Sequence, residues 1–113
     1  MVSRCLQAAE LLAAEGIGAR VVEMHTIKPL DEDLVRRSAR ETGAMVTVEE
    51  HSVIGGLGGA VAECLSEVGG VPLVRVGLQD RFAETGPYEA LLDRYGLGVA
   101  DVVTAARGAL ARK

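Results

Sequence analysis

The 113-residue sequence contains no tryptophan and no asparagine, and its only aromatic side chains are Phe82, Tyr88 and Tyr95. A pocket that stacks a flat heterocycle between rings would therefore have few rings available. The two cysteines, Cys5 and Cys64, lie far apart, each within a helical pattern and neither in a Cys-X-X-Cys pair. This spacing favours buried, reduced thiols over a disulfide or a metal site.

Long apolar runs and concentrations of positive charge are also missing. No run approaches the roughly 20 apolar residues that a membrane-crossing helix needs, and the amphipathic start does not resemble a signal peptide. The net charge is -4, and the ten arginines and two lysines are spread along the chain, which predicts no cationic face for phosphates. We therefore expect a cytoplasmic protein whose partners include neither nucleic acid nor membrane.

The amino-acid composition is typical of one soluble globular domain. Hydrophobic residues make up 49% of the chain and charged residues 25%, and 113 residues suffice for one core but not for two. We therefore treat residues 1–113 as a single domain.

Helical and strand patterns alternate along the chain. Asp31 is placed to cap a helix whose first turn is acidic, and Gly16 and Gly43 are natural helix ends. The predicted order is a helix ending at Gly16, a strand at 20–24, a helix at 31–43, a strand at 44–48, a helix at 56–68, a strand at 71–76, a helix at 87–96 and a last helix carrying Val99 to Leu110. This order predicts an α/β fold, a three-layer α/β/α sandwich with a mostly parallel sheet.

A glycine-rich segment, GGLGG, lies between a predicted strand and a predicted helix, where backbone amides can hold an anion. Val61 stands where a dinucleotide fingerprint needs its third spaced glycine, and no Gly-Lys-Ser/Thr ending follows. Close packing of the helix on the sheet or on a partner therefore explains these glycines better than phosphate binding. A stand-alone anion-binding module stays as the alternative function. The glycines concerned are Gly55, Gly56, Gly58 and Gly59.

Glu49, Glu50 and His51 follow a predicted strand, at the sheet edge where open α/β folds bind ligands. They could act as acid and base, or bind a metal together with His25. Adjacent residues of an extended segment point in opposite directions, however, so the two carboxylates need not share a site. We therefore favour contacts with neighbouring domains over chemistry.

A second candidate contact segment consists of Asp80, Arg81 and Phe82. Arginine and aromatic side chains are common at the centres of protein interfaces. Phe82 could equally cover the core of its own domain, and both interpretations stay open.

Three stretches of the chain carry a resemblance through their order and spacing. They are AAELLAAEGIGARVVEMHTIKPLDEDLV, VTVEEHSVIGGLGGAVAE and VRVGLQDRFAETGPYEALLDRYGL. Together they resemble the C-terminal domain of the transketolase family, whose thiamine diphosphate-dependent members include deoxyxylulose-phosphate synthases and β-subunits of 2-oxo acid dehydrogenases. The resemblance spans nearly the whole chain.

This resemblance implies a non-catalytic domain that packs on upstream thiamine diphosphate-binding domains or subunits and helps to assemble a homodimer. Family members bind thiamine diphosphate and Mg through a Gly-Asp-Gly stretch and a downstream asparagine, and this sequence has neither. We therefore expect no catalytic, cofactor-binding or metal-binding residue on this chain and no activity from it alone, the cofactor belonging to the parent enzyme. The segment around Glu49 to His51 would face the neighbouring domains.

The resemblance also implies a strand that this chain lacks. In the family, a strand and a glycine turn precede the helix that here begins near Met1, and that strand lies in the middle of the sheet. We therefore expect a truncated part of a longer protein, in which residues 20–24 and 44–48 either pair directly or leave backbone groups unpaired. Such a chain would be marginally stable or prone to aggregation alone.

Overall fold

The computed structural model describes residues 2–24, 30–52, 56–78 and 96–113. Within these ranges no helix is long and apolar enough to cross a membrane. The helix predicted at 87–96 and the contact segment at 80–82 lie outside the described residues. The elements are α1 (Val2–Ala14), α2 (Glu32–Thr42), β1 (Met45–Ser52), α3 (Leu57–Val68), β2 (Leu73–Leu78) and α4 (Val99–Ala111).

The ends of α1 and α2 are those that the sequence predicts. The Asp31 carboxylate accepts a hydrogen bond from the Leu34 amide at 3.1 Å and so caps α2. At its other end Gly43 adopts a left-handed φ of 78° and donates its amide to the Ala39 carbonyl at 2.8 Å. Gly16, just beyond α1, also has a positive φ, of 81°. Glycine adopts this conformation without the steric cost that a Cβ would add.

The two strands form a parallel pair, as predicted. Met45 lies opposite Leu73 and Val48 opposite Val76, with an irregularity between Val48 and Ser52. The predicted end of β1 at residue 48 is wrong, because the strand continues to Ser52. Ser52 pairs with Leu78 of β2, so the strand extends past the charged residues between Val48 and Ser52, although their side chains have little intrinsic preference for strands.

Helices cover both faces of this sheet, which confirms the α/β sandwich. Alternate strand residues point to opposite faces. Met45 and Leu73 pack against a core of α2 and α3 residues, namely Val35, Ala39, Val61, Cys64 and Leu65. On the opposite face the packing involves Val46, Val48, Val74 and Val76 with residues of α1 and α4 and with Leu97.

The strand predicted at residues 20–24 is wrong. This segment has no regular secondary structure, and among the described residues β1 pairs with β2 alone. A cavity of about 250 Å³ is lined both by this segment and by residues 44–48. Val21 and Val22 favour an extended backbone, but a strand also needs a hydrogen-bonded neighbouring strand. Beside this segment lies the cavity, and no described strand is there to pair with it.

Candidate functional site

The carboxylate of Glu49 joins the end of β1 to the start of α3. Its Oε1 accepts a hydrogen bond from the Leu57 amide at 2.8 Å, and its Oε2 accepts one from the Gly58 amide at 2.6 Å. Glu49 is 9% exposed. Met45, Thr47 and Glu49 alternate along β1 on the face that α3 covers, so the strand itself directs this carboxylate to the helix.

This contact satisfies amides that an α-helix leaves without partners at its first turn. The N-cap residue is Gly56, which has no side chain to accept them, and Glu49 supplies the acceptor from eight and nine residues away. The partial positive charge at a helix N-terminus also favours a carboxylate, by up to about 2 kcal/mol in partly buried geometries. The Glu49 carboxylate thus occupies the N-terminus of α3, the kind of position at which proteins bind phosphate.

The glycines of the GGLGG segment are not equivalent. A Cβ on Gly58 would lie 2.9 Å from Arg75 Cδ and 3.0 Å from Thr47 Oγ1, closer than such atoms pack. On Gly59 a Cβ would meet no described atom within 4 Å. Gly56 has φ -96°, an ordinary extended conformation. Among the described glycines of this segment, the approach of α3 to the sheet therefore requires Gly58.

The remaining site candidates fall into two groups. Glu50 and His51 belong to β1 by their backbone. Outside the described residues or side chains lie His25, Gly55, Asp80, Arg81, Phe82 and the side chains of Glu50 and His51. The part of the chain that the structure describes contains no group of three or more potential metal ligands. The interface role of all these residues stays a prediction.

The sequence did not predict that Glu49 contacts the helix. It grouped Glu49 with Glu50 and His51, whereas the structure brings Glu49 together with the first turn of α3. The alternation of Met45, Thr47 and Glu49 was the available signal, since it places all three on one face once the strand is known to continue past Val48. By contrast, the cap of α4 joins residues that are close in the sequence, since the Gly98 amide donates to Asp101 Oδ2 at 2.9 Å.

Neither cysteine has the surroundings of a nucleophile. Both are free thiols, Cys64 buried and Cys5 partly buried. Burial raises the pKa of the Cys64 thiol above its ordinary value, and burial likewise raises the pKa of Cys5. Because the thiolate is the reactive form, both side chains are less reactive than a free cysteine at neutral pH.

Residues 1–102 match the family model described as transketolase, C-terminal domain. The chain belongs to this family. It is 53% identical over 113 residues to a 6-deoxy-6-sulfo-D-fructose transketolase subunit of Clostridium sp. (strain MSTE9). It is also 45% identical over 109 residues, 95% of its length, to the 1-deoxy-D-xylulose-5-phosphate synthase of Heliobacterium modesticaldum (strain ATCC 51547 / Ice1).

A solved structure agrees with these similarities. The chain superimposes on a split-gene transketolase described as an inactive β4 tetramer, with a TM-score of 0.93, 56% sequence identity and 99% of this chain covered. The transketolase C-terminal fold expected from the sequence is thereby confirmed. This chain spans 37% of that solved chain, 35% of the Clostridium subunit and 17% of the Heliobacterium synthase.

Thiamine diphosphate, the cofactor of such enzymes, does not fit the start of α3 in this chain. The sequence has no asparagine and no Gly-Asp-Gly stretch to hold its metal. At the start of α3, the Leu57 and Gly58 amides already donate to the buried Glu49 carboxylate. A diphosphate there would have to displace one negative group from two hydrogen bonds while being repelled by it.

Proposed function

We propose that this chain is the non-catalytic C-terminal domain of a cytoplasmic, thiamine diphosphate-dependent transketolase-like enzyme, and that it packs on the other domains and contributes to dimer assembly. The observation that carries the non-catalytic part of this proposal is the Glu49 carboxylate on the first two amides of α3. Because this carboxylate occupies the Leu57 and Gly58 amides, which an anion at the start of α3 would need, it supports a structural role for this turn. Membership of the family supports the same assignment.

The graft of this chain into a relative tests the proposal. In the Clostridium subunit, the segment matching this chain makes up 35% of the protein and would be replaced by these 113 residues. We expect the graft to assemble like the parent subunit and to retain its activity in the complete enzyme. The 113-residue chain alone should have no activity, with or without thiamine diphosphate and Mg²⁺. A graft that folds but fails to assemble would contradict the proposed role.

The competing function, a stand-alone anion-binding module, predicts a different result. A ligand that binds the native state raises the melting temperature in proportion to RT ln(1 + [L]/Kd). We therefore expect no shift with phosphate, nucleotides or thiamine diphosphate at millimolar concentration. A shift of several degrees with phosphate that disappears in Gly58→Ala would favour the module instead.

We also infer that the sheet is completed by a further strand on the free side of β1, supplied by the rest of the parent enzyme. Among the described residues that edge of β1 has no strand partner, and the cavity of about 250 Å³ lies beside it. The lining is mostly apolar and includes Ala8, Leu12, Val48 and Val102. An extended segment would fill this space with apolar side chains and pair with the exposed backbone edge of β1.

Buried polar groups beside the cavity support this inference. Ser38 Oγ and Thr47 Oγ1 are buried and have no hydrogen-bond partner among the described residues. Both residues line the cavity, as does Val22, which is 39% exposed. Each buried group without a partner costs about 1–3 kcal/mol. Unpaired backbone groups along β1 would add to that cost, so a strand in the cavity should stabilise the domain substantially.

An extension of the chain tests this second proposal. About 20 residues, enough for a strand and a turn, would be added before Met1 from the corresponding region of the Clostridium relative. The melting temperature should rise sharply. In a control extension of the same length, prolines at alternate positions remove the amides that a strand needs, and the rise should disappear. Equal melting temperatures for all three chains would refute the missing strand.

A further inference from the structure

We propose that Ser38 and Thr47 determine which strand can complete the sheet, at the edge of β1 that has no described strand partner. The strand carries an uncharged hydrogen-bonding side chain, a hydroxyl or a carboxamide, on the side that faces α2 and α3. On the side that faces α1 and α4 it carries apolar side chains. This inference rests on the strand proposed above and adds the chemistry by which the domain recognises it.

The two sides of the cavity beside β1 differ in chemistry. The residues of α1 and α4 that line it are aliphatic, except for Cys5. On the side of α2 and α3 the lining includes three hydroxyls, those of Ser38, Thr42 and Thr47. Because successive side chains of a strand point to opposite faces, a strand in the cavity would meet both surroundings at once. Its two faces therefore need different side chains.

Two of these three hydroxyls have no partner among the described residues. The Thr42 hydroxyl donates to the Ser38 carbonyl at 2.7 Å, within its own helix. Ser38 Oγ and Thr47 Oγ1 make no such bond, although each residue is only 6% exposed. Buried polar side-chain atoms in native proteins are in large majority hydrogen-bonded. The two hydroxyls therefore point to a polar group that the described part of this chain does not supply.

The lining also indicates that this group is uncharged. Among the described lining residues only Arg20 carries a charged side chain, which is about half exposed and forms an ion pair with Glu41. A carboxylate or an ammonium in the cavity would be buried without a counter-charge, at a high cost in free energy. A hydroxyl or a carboxamide can donate to one hydroxyl and accept from another. An entirely apolar strand would instead bury both hydroxyls without partners.

The experiment compares Ser38→Ala in the 113-residue chain and in the same chain extended before Met1 by about 20 residues of the Clostridium relative. In the short chain the substitution removes a hydroxyl without a partner, so the melting temperature should stay unchanged or rise. In the extended chain it leaves the polar group of the strand unpaired, and the melting temperature should fall by roughly 4–8 °C. Ser66→Ala is the matched control, because this exposed helical hydroxyl bonds the Glu63 carbonyl of its own helix, and it should shift both chains equally.

Substitutions in the extension identify the partner in the strand. Each serine, threonine, asparagine or glutamine of the extension is replaced in turn by an apolar residue of similar shape, for example threonine by valine. One of these replacements should abolish the loss caused by Ser38→Ala, because groups that bond each other have non-additive effects. Thr47→Val repeats the comparison at the second hydroxyl. Any strain of its new methyl against the nearby Gly58 is common to the short and the extended chain and cancels.

The outcomes distinguish this inference from the strand on which it rests. If the extension raises the melting temperature but Ser38→Ala and Thr47→Val shift both chains alike, the strand is present and the polar contact is wrong. The contact is also wrong if no polar residue of the extension is coupled to either hydroxyl. If the extension leaves the melting temperature unchanged, the proposed strand is itself wrong, and the inference fails with it.

Discussion

The contrast between Gly58 and Gly59 yields a quantitative prediction about how α3 meets the sheet. Both are glycines of the first turn of α3, and alanine is the better helix former at either position. In Gly58→Ala the new methyl would lie 2.9 Å from Arg75 Cδ and 3.0 Å from Thr47 Oγ1. In Gly59→Ala it would meet no described atom within 4 Å.

The two substitutions should change the free energy of unfolding in opposite directions. Excess volume in a packed contact costs roughly 1–3 kcal/mol. The Arg75 side chain can move, but Thr47 is 6% exposed on a paired strand and has little freedom. When a gain in helix propensity of about 1 kcal/mol is subtracted, Gly58→Ala should destabilise the domain by up to roughly 2 kcal/mol. Gly59→Ala should stabilise it by roughly 0.4–1 kcal/mol.

Urea unfolding and thermal melting of the two variants test this contrast. At roughly 4 °C per kcal/mol, Gly58→Ala should melt up to about 8 °C lower than the unmodified chain and Gly59→Ala a few degrees higher. A second variant, Gly58→Ala with Thr47→Ala, should recover part of the loss, because it removes the buried hydroxyl that the methyl meets. If both single variants shift the melting temperature upward, the close approach of α3 to β1 is not as described.

Three further predictions concern other parts of the domain. Because burial raises the pKa of both thiols above the ordinary value of a free cysteine, iodoacetamide should modify them slowly at neutral pH and faster as the pH rises. Cys5, which is partly buried, should react before buried Cys64; rapid labelling of both at pH 7 would contradict this. Leu97→Ala should lower the free energy of unfolding, measured in urea, by roughly 2–5 kcal/mol, since Leu97 is 1% exposed. A loss below about 1 kcal/mol would show that neighbouring side chains fill the space that the leucine leaves. Asp31→Ala should lower the free energy of unfolding by about 1 kcal/mol, because it removes the cap on the Leu34 amide. Asp31→Asn keeps an acceptor and should lower it less; equal losses would exclude the cap as the cause.

The sequence alone determined the features that depend on neighbouring residues. The ends of α2 follow from Asp31 and Gly43, because a helix cap involves groups within a few residues of each other. The parallel α/β arrangement followed from the alternation of helical and strand patterns, which needs no knowledge of contacts. The family was also identifiable from three stretches of sequence, and the comparisons confirm it.

Only the tertiary structure decided the features that depend on residues distant in the chain. The end of β1 is set by its pairing with β2, and residues 20–24 form no strand because no described strand lies beside them. The need for glycine at Gly58 arises from side chains of β1 and β2. Local propensity cannot supply such information, since burial and long-range hydrogen bonds override it. Glu49 shows this most clearly: as one of two adjacent glutamates it looks like a surface charge, and its role comes from the helix that the fold places against it.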